Sequence, residues 1–409
     1  MQMEIGIVSS IDESCGNATF AQHLIDSINS QGHTALPIRV NLNLTQSMDP
    51  KLRKLADIHI KEVASRIRLL DGVNIQFEAG LYGASHKDII RRLKILIQAN
   101  SNTSVTLHAT RYFDNSSNSI NGVLKNLAHL RFRAALIQVA HIKNTRKTLS
   151  VNRSYAVLLA KNKVKIIVHT KKSYDAVVAI TRSNDVRVHP IKFCNPNDGQ
   201  DRLEIWKKRL HFEKDDKIIG IFGFISEYKG HHQALRALNE LPPHFKLVIA
   251  GKQHPGSIKE HENVNPYLNS LLEFIEMKSS KKTSKGIVSG KLPINKRVVF
   301  LNELSDEELF ELAASVDFAW LPYLETGQDG SGIASILFDL SKRVIASNCK
   351  AFDELIRLIP EYKCERFDIG NHFELADKTL NYREFRKLDS PLAYSDESQT
   401  RMYIDLLTT

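Results

Sequence analysis

The residues best suited to chemistry in this 409-residue chain lie in Leu321–Leu340, LPYLETGQDGSGIASILFDL, where three glycines flank an acid and a hydroxyl ahead of an apolar helical period. Gly327, Gly330 and Gly332 let the backbone take positive φ and approach a ligand closely, and Ser331 or Asp329 can cap the helix behind them. Ile333, Ile336, Leu337 and Leu340 share one helical face. The free N–H groups and positive dipole end of that helix then face the glycines, an arrangement that holds phosphate, although a plain connecting turn has the same composition. Lys229-Gly230, ahead of a helix bearing Leu235 and Leu238, repeats the offer with a cation. In the first half His108 ends the run VTLH, His169 ends KIIVH, and His189 follows VRV. These are positions where parallel strands meet ligands, and a lone histidine there is as often structural.

The elements that must position these residues alternate. Strand patterns cover Glu4–Ser9, Thr34–Val40, Gly72–Phe77, Ser104–Leu107, Lys165–His169 and Val186–Val188, with helical periods between them, including Lys51–Leu70, 86–98 and Val123–Ile142. After the turn-rich stretch Phe193–Arg202 the alternation resumes with strands Lys217–Phe222, Lys246–Ala250, Val298–Leu301, Val316–Leu321 and Arg343–Ser347. Ser305 and Glu308 form a capping-box pair ahead of another helix. The remainder past Phe367 reads as helical. Alternating βα units of this kind build parallel α/β domains. The expected boundaries are a first domain at 1–192, a linker at 193–213, a second domain at 214–385, and a C-terminal helical piece at 386–409 that folds back over the first domain.

A chain of this length suits two domains of roughly 180 to 200 residues. With 42% hydrophobic and 25% charged residues it is an ordinary globular composition. No apolar run reaches the roughly 18 to 20 residues that cross a bilayer, and MQMEIGIVSS reads as a first strand rather than a signal peptide. Cys15, Cys194, Cys349 and Cys364 form no CxxC pair, which favours free thiols in a reducing cytoplasm. The Gly16 loop lacks both the GxGxxG fingerprint and a Walker lysine, which disfavours NAD and P-loop chemistry.

The net charge of +10 is unevenly placed: residues 1–190 carry 26 Lys+Arg against 13 Asp+Glu, and residues 191–409 carry 30 against 33. Between Asp114 and Asp175 there is no carboxylate. Such a run attracts anionic lipid, a phosphorylated substrate or nucleic acid, and its few aromatics argue against nucleic acid. Helix 86–98 sets Lys87, Arg91, Arg92 and Lys94 largely opposite its apolar side, as a membrane-surface helix or a solvated sheet-covering helix does.

With Lys229-Gly230, LVIAG, VVFLNELSDEELFELAASVDFAWLPY and the Ser331-Gly332 turn in this order, the second half resembles the GT-B glycosyltransferases, particularly the retaining family-4 type (glycosyl transferases group 1). The likeness covers residues 216–370 well and the first half more loosely, through the Gly16 loop, NIQFEAGLYG and VTLH. It implies two Rossmann-like doubly wound parallel-sheet domains facing across a cleft. It also implies transfer of a sugar from a nucleotide-diphosphate donor to a hydroxyl acceptor, without a metal or other cofactor. The expected setting is synthesis of a bacterial-type surface glycan or glycolipid, with a glycan or lipid-linked acceptor. Location would be cytoplasmic, peripheral at an anionic inner membrane face. By this resemblance Lys229 faces the donor diphosphate, Gly330, Ser331, Gly332 and Ile333 cradle it, and Gly16 with Asn17 approaches from the first domain. His108 faces the transferred sugar, and Asn302 to Leu304 meet the base. Asp329, or Glu325 if the loop shifts, takes the place of an acid on the sugar.

Two departures stand against the pattern. Phe224, Ile225 and Ser226 occupy a loop that often carries an arginine, and Leu337 stands where a second glutamate holds the ribose. The alternative they raise is a non-catalytic GT-B protein that binds nucleotide or scaffolds a partner enzyme.

Overall fold

The computed structural model describes residues 2–11, 16–108, 110, 123–125, 127–129, 131–183, 185–195, 197–253, 264–280, 293–302, 304–325, 330–358, 364–383 and 394–408. Two compact units contain them: residues 1–191 with 396–409, and residues 192–395.

The first unit is a six-stranded parallel sheet of β1 (Glu4–Ser9), β2 (Thr34–Arg39), β3 (Gly72–Phe77), β4 (Thr103–Leu107), β5 (Lys165–Val168) and β6 (Val186–Val188), in the order β2-β1-β3-β4-β5-β6. Apolar runs such as IGIV in β1 are buried throughout because helices cover both sheet faces. Pro37 sits in edge strand β2, where a missing N–H is harmless. The order reverses between β1 and β3, the switch point at which such sheets bind ligands.

The second unit has six parallel strands, β7 (Lys217–Phe222), β8 (Phe245–Ala250), β9 (Val298–Leu301), β10 (Phe318–Leu321), β11 (Val344–Ser347) and β12 (Cys364–Phe367), ordered β12-β11-β10-β7-β8-β9. This is the dinucleotide-fold order with its switch point between β7 and β10. The stretch read as a linker is packed into this unit: Phe193 and Cys194 are buried, and helix Leu203–Arg209 buries Trp206.

Two sequence expectations need correction. The helix expected over Val123–Ile142 is split: 123–125 and 127–128 are helical, a turn follows at His129, and a separate helix runs from Phe132 to Lys161, continuing because Val151, Tyr155, Ala156 and Leu159 keep one face in the core. In helix His86–Ile97, Arg92 is fully buried instead of solvated. Its guanidinium donates to Asp57 and to the Thr45, Tyr82 and Arg53 carbonyls, while Arg53 and Arg91 pair with Asp88 and Asp57. Asp57 from the neighbouring helix Pro50–Ile67 and Asp88 from the helix itself thus pair with Arg53, Arg91 and Arg92. The segment past Phe367 contains helices His372–Leu380 and Asp396–Thr408, as its sequence suggested. A twelfth strand, Cys364–Phe367, precedes it and pairs with β11.

Helix Asp396–Thr408 belongs to the first unit, packed against β3, β4 and helix Gly16–Ser30. Asp396 accepts from Ser27 Oγ at 2.5 Å and meets His23 Nε2 at 2.8 Å, and Lys165 Nζ donates to the Leu406 carbonyl at 2.6 Å. Among the described residues no helix is long and apolar enough to cross a membrane.

Candidate functional site

In the second unit the chemistry gathers at the β7/β10 switch point. Phe222 ends β7 and Leu321 ends β10, and between these strand ends stands Lys229, the last residue of a short 3-10 turn, Glu227–Lys229. Gly230 follows at φ +71°, and a Cβ there would lie 1.9 Å from the Pro322 carbonyl oxygen. Only glycine lets the chain turn there into helix His231–Glu240 against the β10 end. Gly223, at φ +87°, leaves room for Lys229 Nζ, which a Cβ would approach to 2.9 Å.

Lys229 is 3% exposed. Its Nζ donates to the Phe222 carbonyl at 3.1 Å and to Tyr323 Oη at 2.7 Å, with the Tyr323 and Tyr228 rings 4.8 and 5.6 Å away. Among the described residues it has no carboxylate partner. Burial lowers its pKa, and Tyr228 works against that shift. A buried ammonium held only by neutral oxygens and rings leaves a local positive charge that an anion would complete.

The opening turn joins this cation. Tyr323 Oη meets Ser331 Oγ at 3.2 Å, and Ser331 Oγ accepts from the Ala334 N–H, capping helix Gly332–Leu340 as its sequence position suggested. Among the described residues the N–H groups of Gly332 and Ile333 have no partner, which leaves the helix N-terminus open beside Lys229. Gly332 is needed for a different reason from the one its sequence implied: it lies in the helix, not at positive φ, and a Cβ would meet the Phe193 ring at 2.5 Å. Glu325 is exposed and accepts from the Lys350 N–H at 2.9 Å. Leu337 is fully buried in the unit's interior. Asn302, exposed, follows β9, and Leu304 is half-buried. Asp329, Gly327 and Cys15 lie outside the described residues, and the other three cysteines form no disulfide among the described residues.

Sequence reasoning missed the Lys192–Asp339 ion pair, buried on both sides at 3.0 Å, with Lys192 Nζ 4.6 Å from the Tyr394 ring. It ties the start of the unit to the helix that presents Ser331. Two charged residues 147 positions apart give no local pattern that could have announced them.

In the first unit the three strand-end histidines come together. His108 Nδ1 lies 3.1 Å from His169 Nε2, and His169 Nδ1 donates to the His189 carbonyl at 3.1 Å. Phe20, from helix Gly16–Ser30, sets its ring edge-on to both imidazoles at 5.4 and 5.6 Å. Burial, with His169 adding to it, holds His108 well below the usual histidine range, and burial brings His169 down to about 4. Both are neutral at pH 7. Asn17, at the start of the same helix, accepts from Ser9 Oγ at 2.6 Å, and its buried Nδ2 has no partner among the described residues. Gly16 beside it is exposed, with open space where a side chain would stand. No cluster of potential metal ligands occurs among the described residues.

No family model matches the sequence. No curated protein matches it either. Solved structures match over the whole chain. Anabaena Alr3699/HepE in complex with UDP and glucose is 14% identical, with a TM-score of 0.60 over 100% of this chain and 97% of that one. Sucrose-phosphate synthase from Thermosynechococcus elongatus is 12% identical, with a TM-score of 0.63 over 100% and 95%. WaaG, a glycosyltransferase involved in lipopolysaccharide biosynthesis, is 14% identical, with a TM-score of 0.54 over 98% and 95%. The chain therefore has the GT-B fold of two Rossmann-like parallel-sheet units.

Proposed function

We propose that the protein is a glycosyltransferase that takes a sugar from a nucleotide-diphosphate donor and passes it, with retention, to a hydroxyl acceptor. The observation that carries this reading is Lys229, a buried cation without a carboxylate among the described residues, set at a switch point beside a helix N-terminus whose first N–H groups, at Gly332 and Ile333, lie ahead of the Ser331 cap bond to Ala334. A leaving diphosphate gains negative charge as the sugar departs. Lys229 and the Gly332 and Ile333 N–H groups stabilise that charge where it forms, so protein groups do the work often given to a divalent ion. Ser331 and Gly330 complete the turn around it, and Asp329 or Glu325 is the proposed acidic contact to the sugar. Asn302 and Leu304, just after β9, are the proposed contacts to the base.

The first unit is the proposed acceptor side. His108 serves a sugar hydroxyl, and Gly16 with the Asn17 amide offers donors to ligand oxygens. The bound UDP and glucose of the Anabaena neighbour support the donor class. The involvement of the WaaG neighbour in lipopolysaccharide biosynthesis supports a glycan or lipid-linked acceptor, and the proposed setting is a cytoplasmic membrane face.

A panel of UDP-, GDP- and ADP-sugars in thermal shift, followed by transfer assays with EDTA present, tests this reading. Stabilisation by one donor, metal-independent turnover and an anomer matching the donor's are expected. Binding of nucleotide diphosphate with neither hydrolysis nor transfer would favour the non-catalytic alternative, which the core position of Leu337 supports.

A further inference from the structure

A chain of buried polar groups runs behind His108 and determines which of its ring atoms can serve a ligand. Starting from helix Asp396–Thr408, Tyr403 Oη meets Thr106 Oγ1 at 3.0 Å, and Thr106 Oγ1 donates to Asn74 Oδ1 at 3.2 Å. The Asn74 carboxamide also reaches Ser104 Oγ at 2.9 Å and the Gln76 carboxamide at 2.6 Å. Gln76 then stands 2.7 Å from His108 Nε2, and His108 Nδ1 stands 3.1 Å from His169. Asn74, Gln76, Ser104 and Thr106 are all fully buried on β3 and β4, so each must find its partner inside this chain.

The direction of the bonds follows from the fixed end. A carbonyl oxygen only accepts, so His169 Nδ1 carries a proton for the His189 carbonyl. A neutral His169 then has a lone pair at Nε2, and His108 must donate to it from Nδ1. His108 Nε2 is left with a lone pair of its own. The Gln76 amide satisfies it by turning its NH2 toward the ring, which puts Gln76 Oε1 toward Asn74. Asn74 answers by donating its NH2 to Gln76 and receiving the Ser104 and Thr106 hydroxyls. In this arrangement both neutral imidazoles keep a donor facing an acceptor at each of their bonded nitrogens. The opposite arrangement keeps Gln76 Oε1 at Nε2 and requires an imidazolium among groups that carry no negative charge.

We propose that His169 and Gln76 are positioning residues that hold His108 as the neutral Nδ1–H tautomer, so that its ligand-facing atom is an acceptor at Nε2 reserved for a hydroxyl. A ligand hydroxyl replaces Gln76 there by donating the same bond, whereas an anion or carbonyl oxygen meets a lone pair and is rejected. This specificity rests on the reading of His108 as a sugar contact, but the tautomer does not.

Ring 15N–1H correlation of 15N-histidine-labelled full chain at pH 7 tests it, with the His108 signals identified by their loss in His108→Gln. The expected spectrum shows a protonated Nδ1 and an unprotonated Nε2. His169→Gln, which keeps an acceptor for Nδ1, retains that pattern. His169→Phe, which keeps a ring beside Phe20 but no acceptor, moves the proton to Nε2. Wild-type protein with Nε2 protonated, or His169→Phe with the wild-type pattern, would overturn the proposal. Failure of the transferase reading would leave these ring signals unchanged, and failure of the tautomer assignment would leave ligand stabilisation through Lys229 unchanged.

Discussion

Lys229 Nζ donates to Tyr323 Oη at 2.7 Å, and Tyr323 in turn meets the Ser331 cap, so the buried cation and the open helix end are joined through one phenol. Burial keeps that phenol neutral by raising its pKa. Lys229→Met removes the charge while keeping most of the side-chain volume. A buried ammonium with no carboxylate to offset its desolvation gains little for the unliganded fold, so an apolar side chain of similar volume in its place should not destabilise it. The unliganded variant should therefore melt no lower than wild type, while the melting shift given by a nucleotide-diphosphate sugar disappears. Thermal shift with and without donor reads both effects. A retained donor shift would remove Lys229 from the diphosphate site.

Gly230→Ala places a methyl group against the Pro322 carbonyl in a left-handed conformation. Strain at a special backbone position together with overpacking should cost on the order of 3 kcal/mol. Urea unfolding measures it, and a change under 1 kcal/mol would mean that the β10 end yields readily.

The buried Lys192–Asp339 pair makes a contrasting case. Lys192→Met or Asp339→Leu alone leaves one charge buried and unmatched and should destabilise by about 3 to 5 kcal/mol. The double variant should recover most of that loss. Equal losses in the single and double variants would show that the Lys192–Tyr394 contact, and not charge pairing, holds the helix.

Acid should loosen the first unit through its histidines. The folded-state pKa of His169, about 4, lies below the ordinary value near 6.5, so the unfolded chain takes up the proton first as pH falls. The stability that neutral His169 contributes is complete above pH 6.5 and is lost between there and about pH 4, on the order of 3 kcal/mol in all. His169→Gln should flatten this part of the stability–pH curve. Urea midpoints from pH 7.5 to 4.5 for both proteins give the comparison, and parallel curves would rule the linkage out.

Local signals carried much of this molecule into its sequence. Strands with unbroken apolar runs, the Ser331 cap and the Ser305–Glu308 capping box were visible because each is a pattern within a few residues. The pattern of a histidine at each strand end was visible too, but not that three of them would touch, because strand order is not written locally. Strand β12 escaped because an edge strand with polar, half-exposed residues lacks the apolar run that marks its neighbours. Arg92 was read as solvated because periodicity measures hydrophobicity and cannot foresee that Asp57 from another helix will meet it. Gly332 was rightly singled out as a glycine, yet its reason, the Phe193 ring, comes from more than a hundred residues away.

The last helix of the first unit has a consequence for synthesis. Residues 1–191 leave the ribosome well before helix Asp396–Thr408, with the whole second unit made in between. At roughly 5 to 20 residues per second the delay is on the order of 10 to 40 seconds. Throughout it, Thr106 lacks Tyr403, and the sheet face that Tyr403 will cover stays wet. The first unit is thus an unfinished fold until helix Asp396–Thr408 has been made and can pack against β3 and β4.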